Sequence, residues 1–288
     1  MRLFFHIMKA AELRKALTAV FREHSFESPE LEADYIVSEV LKARGFELYL
    51  HDGDPLSEEQ LVLASEFRDR RLADEPYQYI FGWTPFRELD LKVGPGVLIP
   101  RPETEFMLDS VLKKLPRNAV VCELGIGSGA ISLSLAFERS DLTVYGSELS
   151  HAAFRWAELN RTSLGLPNVH FMQGSLYEPF PKEMRFDAVI ANLPYVAEEE
   201  CAALPANVRD YEPAEALFAP DHGYALMEQA IREAPDHLCS GRAQLFFEIG
   251  ETQGDRLKSF TLAQGFFTRA EILPDQYGVP RQLEAERN

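Results

Sequence analysis

The chain has 288 residues, 46% of them hydrophobic and 26% charged, the profile of an ordinary soluble globular protein with room for two domains. With 29 Lys and Arg against 46 Asp and Glu, the formal charge is −17. That argues against a nucleic-acid partner, because such affinity comes mainly from cations that neutralise phosphates. An acidic surface serves either solubility or a basic protein partner.

The run Met1-Arg2-Leu3-Phe4-Phe5-His6-Ile7-Met8 is too short for the apolar core of a signal peptide and is followed by no small-residue cleavage site. Translation can begin at Met1 or at Met8. No segment reaches the ~18 apolar residues of a membrane span, so a cytoplasmic protein without a membrane partner is expected. Cys122, Cys201 and Cys239 show no C-x-x-C spacing, and the seven histidines form no H-E-x-x-H pair; neither a disulfide framework nor a metal site is expected.

Residues 9–75 read as helical. Leu13, Leu17, Val20 and Phe21 recur at helical spacing. Ser28-Pro29-Glu30-Leu31 gives a helix start with Ser as N-cap and Pro at the first helical position. Ser57-Glu58-Glu59-Gln60 gives a capping box before a helix to Arg71. No catalytic motif occurs there, so residues 1–75 are expected to form a small helical bundle for packing or partner recognition. Residues 76–100 change character: Tyr77, Tyr79, Ile80, Phe81, Trp83 and Phe86 precede the alternating Leu89, Leu91 and Val93, and Gly94-Pro95-Gly96 turns the chain. That composition predicts a β-hairpin linker.

From about residue 101 strands and helices alternate. Strands are expected at 119–124, 141–147, 169–173, 186–191 and 244–249, with more after Phe266, and helices after Gly129 and at 152–164. The pattern predicts an α/β domain over 101–288 with a mainly parallel sheet covered on both faces.

Glu123-Leu124-Gly125-Ile126-Gly127-Ser128-Gly129-Ala130 follows a strand and opens a helix. Its alternate glycines permit a tight turn and close ligand approach. A dinucleotide loop is the rival, but that loop spaces its glycines G-x-G-x-x-G and wraps a pyrophosphate, which disfavours a carboxylate such as Glu123. A cationic sulfonium with an amino-acid tail suits Glu123 better. Glu148, closing the next strand, can accept hydrogen bonds from both ribose hydroxyls; the plainer reading makes it a neighbour of a helix N-cap.

The fourth strand runs into Asn192-Leu193-Pro194-Tyr195, at the sheet edge where open α/β folds place ligands. An Asn oxygen and an adjoining backbone carbonyl can each accept one hydrogen of a planar NH₂ group, and Tyr195 can stack on that group. The plainer reading is an Asn-Pro turn.

Together with Ile99-Pro100-Arg101-Pro102-Glu103-Thr104-Glu105, these segments resemble the peptide chain release factor glutamine N(5)-methyltransferases, the PrmC/HemK family. The likeness covers nearly the whole chain. Further landmarks are Arg71 with Glu75-Pro76, Tyr79-Ile80 and Gly82; Val208-Arg209 with Glu212-Pro213; Glu248-Ile249-Gly250 with Gln253-Gly254; and Asp275 with Tyr277-Gly278 and Arg281. The resemblance implies a seven-stranded class I methyltransferase fold that uses S-adenosyl-L-methionine (AdoMet), behind a helical N-terminal domain. It implies methylation of the glutamine in the Gly-Gly-Gln loop of class 1 release factors. Gly125, Ile126, Gly127, Ser128 and Gly129 would contact AdoMet, with Glu148 on the ribose, Leu176 beside the adenine, and Glu123 and Asn192 nearby. Asn192, Leu193, Pro194 and Tyr195 would hold the glutamine. Three positions depart from the family: Leu193 where Pro is usual, Ser175 where Asp is common, and Glu123 for the commoner Asp. The Asn-Leu-Pro-Tyr spelling also suits enzymes that methylate the N(6) amine of adenine in RNA or DNA. Ribosomal-protein glutamine methyltransferases share the tetrad as well, and a non-catalytic AdoMet-binding module is the rival from another class. A monomer is expected.

Overall fold

The computed structural model of the chain describes residues 8–287, so the reading of residues 1–7 lies outside the described residues. The chain divides into two compact units, Met1–Gly82 and Trp83–Asn288.

The first unit is helical: α1 (Ala10–Glu23), α2 (Pro29–Leu41), α3 (Glu47–Leu50), α4 (Glu58–Leu72) and α5 (Tyr77–Phe81). Leu13, Leu17 and Phe21 lie on one face of α1, as their spacing requires, and share a core with Ile36, Val37 and Val40 of α2. The capping box forms as expected: Gln60 N donates to Ser57 Oγ at 3.2 Å and Ser57 N to Gln60 Oε1 at 2.9 Å. Ser28 precedes α2, but its side chain makes no capping bond; Pro29 alone marks that start.

Residues 77–81 correct the hairpin expectation. They form a helix closed by Gly82 at φ 79°, and they belong to the helical unit. The physical reason is where their aromatic rings find partners. The Tyr77 hydroxyl donates to Glu32 Oε2 at 2.6 Å, on the carboxylate that Arg71 also engages at 2.9 Å, and Phe81 packs edge-on against Phe67. Aromatic composition alone does not separate a strand from a short helix anchored this way.

The second unit begins with a two-stranded hairpin, β1 (Trp83–Phe86) and β2 (Leu89–Lys92), paired Phe86 with Leu89. Its turn is therefore Arg87-Glu88, with Arg87 at φ 51°, and not Gly94-Pro95-Gly96, which follow β2. Next come α6 (Pro102–Lys114), β3 (Val120–Leu124), α7 (Ala130–Glu138), β4 (Thr143–Glu148), α8 (His151–Leu164), β5 (Val169–Gln173) and β6 (Ala188–Ala191). The short α9 (Ala206–Arg209) and α10 (Ala214–Leu217) lead to α11 (Ala225–Glu233), β7 (Ala243–Glu248), α12 (Gly254–Ala263), β8 (Arg269–Pro274) and β9 (Pro280–Arg287).

Seven strands form one sheet in the order β5-β4-β3-β6-β7-β9-β8. The first five run parallel, and β9 is antiparallel to both β7 and β8. This is the expected mostly parallel seven-stranded α/β sheet. Its central strands β6 and β7 are buried at every position, as strands covered on both faces must be. Two apolar cores flank the sheet. One includes Met227 and Ile231 of α11 and the other Met107, Leu108 and Val111 of α6.

No helix among the described residues is long and apolar enough to cross a membrane.

Candidate functional site

Sheet register builds the site. Leu124 lies beside Ser147 on one side and Ala191 on the other, and Ala191 lies beside Phe247. One residue further along, four neighbouring strands deliver Glu148, Gly125, Asn192 and Glu248 in a row, with strands about 4.8 Å apart. Chain order reverses between β3 and β6, since β4 and β5 extend the sheet one way from β3 while β6 and β7 extend it the other. Such a switch point opens a crevice at the carboxyl ends of the strands, where open α/β sheets bind ligands.

A cleft occupies that place, lined among others by Gly125, Gly127, Glu148, Leu176, Asn192, Leu193 and Pro194. Gly125 and Gly127 of the turn and the first three residues of the tetrad therefore face one cavity. Gly125 sits at φ 70°, and a Cβ there would approach Leu193 Cδ2 at 3.0 Å. A side chain at this position would be strained and would crowd the junction of loop and tetrad.

Glu148 holds the loop in shape. Its Oε2 accepts from Gly127 N at 2.9 Å and its Oε1 from Ser150 N at 2.8 Å. The plainer reading of this residue, a neighbour of the α8 N-cap Ser150, is thus realised. Burial pushes its carboxyl above the ordinary range, opposed by these backbone hydrogen bonds. A carboxylate has about four lone-pair positions, which leaves it capacity to accept from a ribose hydroxyl beside these backbone donors. Leu176, at φ 45° and 6% exposed, forms an apolar wall next to Ser175. A glycine turn with no Cβ to obstruct approach, an acid at the next strand end and an apolar wall fit an adenosyl ligand.

Five residues expected in the site do not line the cleft. Glu123 is 2% exposed and lies beneath the loop, where its Oε2 accepts from Ser132 N at 2.8 Å and from the Ser132 hydroxyl. Ser132 is the third residue of α7, so the free N–H groups of that helix end take the carboxylate that a ligand was expected to take. Burial pushes the Glu123 carboxyl up to about 8. Ile126 is buried, with its methyl group against Gly146, and Ser128 is buried with its carbonyl accepting from Asn160 Nδ2 at 3.0 Å. Gly129 opens α7 as its N-cap. Tyr195 points its hydroxyl to Glu248 Oε1 at 3.3 Å, and its ring is not a wall of the cleft; burial first, then the charge of Glu248, pushes its hydroxyl up.

The tetrad rests on a polar cluster that the sequence did not announce as a site. Asn192 Nδ2 donates to Thr104 Oγ1 at 3.1 Å, and Thr104 donates to Glu248 Oε2 at 2.6 Å. Thr104 and Glu248 are 4% and 2% exposed. Among the described residues nothing donates to Asn192 Oδ1 or to the Leu193 carbonyl. The Tyr195 carbonyl is taken by Gln253 Nε2 at 3.0 Å. Gly223 approaches that carbonyl so closely that a Cβ would fall 2.0 Å from the oxygen, at φ 83°. A third fixture joins the segment before α6 to the cleft rim: Glu212 accepts from Ile99 N at 2.9 Å and pairs with Arg101 at 2.5 Å. Thr104, Arg101, Glu212, Glu248 and Gln253 all lie inside landmarks of the resemblance. Those landmarks were the available signal.

Among the described residues no group of three or more His, Cys, Asp or Glu could hold a metal ion.

Comparison with known proteins agrees with this geometry. A family model described as PrmC N-terminal domain matches residues 12–82, and one described as Methyltransferase small domain matches residues 102–207. The "Release factor glutamine methyltransferase" of Thermodesulfovibrio yellowstonii is 34% identical over 261 residues, 89% of this chain and 92% of the relative. The protein of the same name from Neisseria gonorrhoeae is 35% identical over 254 residues, 88% and 92% of the two chains. A methyltransferase crystal structure from Pyrococcus furiosus superposes with a TM-score of 0.52 at 18% identity, covering 80% of this chain and 98% of that one; it supports the fold alone.

Proposed function

The chain belongs to the release factor glutamine methyltransferase family, and from that premise we propose that it methylates the side-chain amide nitrogen of the glutamine in the Gly-Gly-Gln motif of class 1 release factors. The observation that carries the proposal is the single cleft that has the glycine turn on one wall and Asn192, Leu193 and Pro194 on the other.

Gly125, Gly127 and Glu148 hold AdoMet, with Leu176 against the base. Bound there, AdoMet supplies an electrophilic methyl group on a sulfonium. The rest of the work falls to the chain. Asn192 Oδ1 and the Leu193 carbonyl accept the two hydrogens of the substrate amide, which fixes the plane of its nitrogen. Leu193 supplies the carbonyl as the family's usual proline does, without the fixed φ of a proline ring. An amide nitrogen is a weak nucleophile, so orientation carries much of the rate, and well-oriented approach is worth roughly 7–11 kcal/mol at the upper end. No base need act before attack, because the N–H proton can leave after the new bond forms. Glu248, the carboxylate beside Asn192, is occupied by Thr104 and Tyr195.

The charge of −17 supports a protein substrate over RNA or DNA. The same reading takes the chain as a cytoplasmic monomer with the helical domain of residues 1–75 and the hairpin segment of residues 76–100 as the release-factor platform, since those regions carry no cofactor motif.

Incubation with methyl-labelled AdoMet and release factor, ribosomal protein or ribosomal RNA tests the reading. Label is expected in the release factor and is absent when its motif glutamine is replaced by alanine; label on RNA or ribosomal protein alone overturns it. In the same assay, full-rate transfer by a folded chain lacking residues 1–82 contradicts the platform.

A further inference from the structure

The two ends of an asparagine amide are nearly identical in size and opposite in hydrogen-bond sense. Packing cannot choose between them. A substrate NH₂ group is a pure donor towards the cleft, so Asn192 is useful only with its oxygen outward; reversed, it would set donor against donor. Something must therefore select one of two orientations that fit equally well.

The polar cluster beneath Asn192 makes that selection. Glu248 closes β7 beside the end of β6, and as a carboxylate it only accepts. Thr104, on the first turn of α6, has one hydroxyl hydrogen and spends it on Glu248 at 2.6 Å. Its oxygen can then only accept, and it does so from Asn192 Nδ2 at 3.1 Å. With the nitrogen held inward, the oxygen faces outward. Each link fixes the sense of the next. The link is also closed to water, because Thr104 and Glu248 are both buried, so no solvent molecule can substitute for the missing donor or acceptor.

We propose that Thr104, itself oriented by Glu248, is the positioning residue that fixes the Asn192 amide with its oxygen towards the acceptor nitrogen. The inference rests on the glutamine-methyltransferase reading and adds to it a cause for the orientation which that reading assumes. Thr104 touches neither substrate nor cofactor; it acts through Asn192. The side of the cleft assigned to AdoMet is separate from it, since Gly125 and Gly127 stand in the turn after β3 and Glu148 at the end of β4.

Three variants of the full chain test this: Thr104→Val, which keeps the shape and removes the hydroxyl; Thr104→Ser, which keeps the hydroxyl; and Glu248→Gln, which turns an acceptor-only group into one that can donate. For each, kcat and KM on release factor, the AdoMet dissociation constant by calorimetry and the melting temperature are measured. Thr104→Val is expected to lower kcat by roughly 10- to 100-fold, the scale of a misplaced contact group, with AdoMet affinity unchanged and Thr104→Ser within about threefold of wild type. Glu248→Gln is expected to fall in the same direction as Thr104→Val, again with AdoMet affinity unchanged. Wild-type kcat in Thr104→Val overturns the inference and leaves the function standing. So does a Thr104→Ser variant that loses as much as Thr104→Val, or a kcat loss matched by an equal loss of AdoMet binding. If Thr104→Val does not fold, the Thr104→Ser and Glu248→Gln results decide on the same criteria. A wild-type chain that transfers no methyl to release factor removes the premise, and the inference with it.

Discussion

The two sides of the cleft floor are built by different means. Beyond β3 and β4 the site is made of backbone: a turn whose glycines carry no Cβ to obstruct a ligand, its Gly125, Gly127 and Gly129 amides tied to Ser147 O, Glu148 Oε2 and Ile126 O. On β6 and β7 it is made of side chains, with Asn192 held by Thr104 and Thr104 by Glu248 across 88 and 144 positions of sequence. A backbone site needs a local sequence that can bend and tolerates nearby side-chain change. A side-chain site needs partners that only the finished fold brings together, and it fails when one of them is removed. The first half suits a constant ligand and the second the discrimination of an acceptor.

That contrast is open to attack where it is strongest. Replacing Asn192 by Ala should lower kcat by roughly 10²–10³-fold, the scale for deleting one hydrogen-bonding group from a reacting site, while AdoMet affinity measured by calorimetry stays within about threefold. A matching loss of AdoMet binding would erase the division between the two sides.

Glu148→Ala should show the opposite split. Losing one hydrogen bond to a charged group, worth roughly 1.5–3 kcal/mol, should weaken AdoMet binding by about 10- to 100-fold. At saturating AdoMet, kcat should change by less than about threefold. A kcat collapse at saturation would mean that Glu148 shapes the acceptor side as well.

The smallest effect concerns Glu123, the acid beneath the glycine turn. Its folded-state pKa of about 8 stands above the ordinary 4.5, raised chiefly by burial. Over that window the folded state binds more protons than the unfolded one, so this group makes stability fall as pH rises from about 4.5 to about 8. Glu123→Gln should flatten that slope in melting curves taken across the same range. An unchanged slope would show that the Ser132 contacts keep the carboxylate ionised.

The same division explains what the sequence disclosed. The glycine turn, Glu148 and the tetrad are contiguous or sit at strand ends, so their residues name themselves. Thr104 and Glu248 were visible only as letters within longer landmarks, because nothing local signals a contact made across 144 positions. Glu123 misled for a related reason: a carboxylate at a strand end is as suitable for a helix N-terminus as for a ligand, and the position of α7 decides which. Residues 77–81 were read as strand from their aromatics, yet their rings serve the helical core around Glu32 and Phe67. Alternating strands and helices gave the parallel sheet directly, whereas the insertion of β9 between β7 and β8 comes from non-local pairing.

The most direct test is a crystal structure of the chain with S-adenosylhomocysteine and a Gly-Gly-Gln peptide. The expected result has the adenosyl group on Gly125, Gly127 and Glu148, and the glutamine NH₂ shared between Asn192 Oδ1 and the Leu193 carbonyl, with its nitrogen turned towards the sulfur. Peptide and nucleoside in separate cavities, or an Asn192 amide with its nitrogen facing the glutamine, would contradict it.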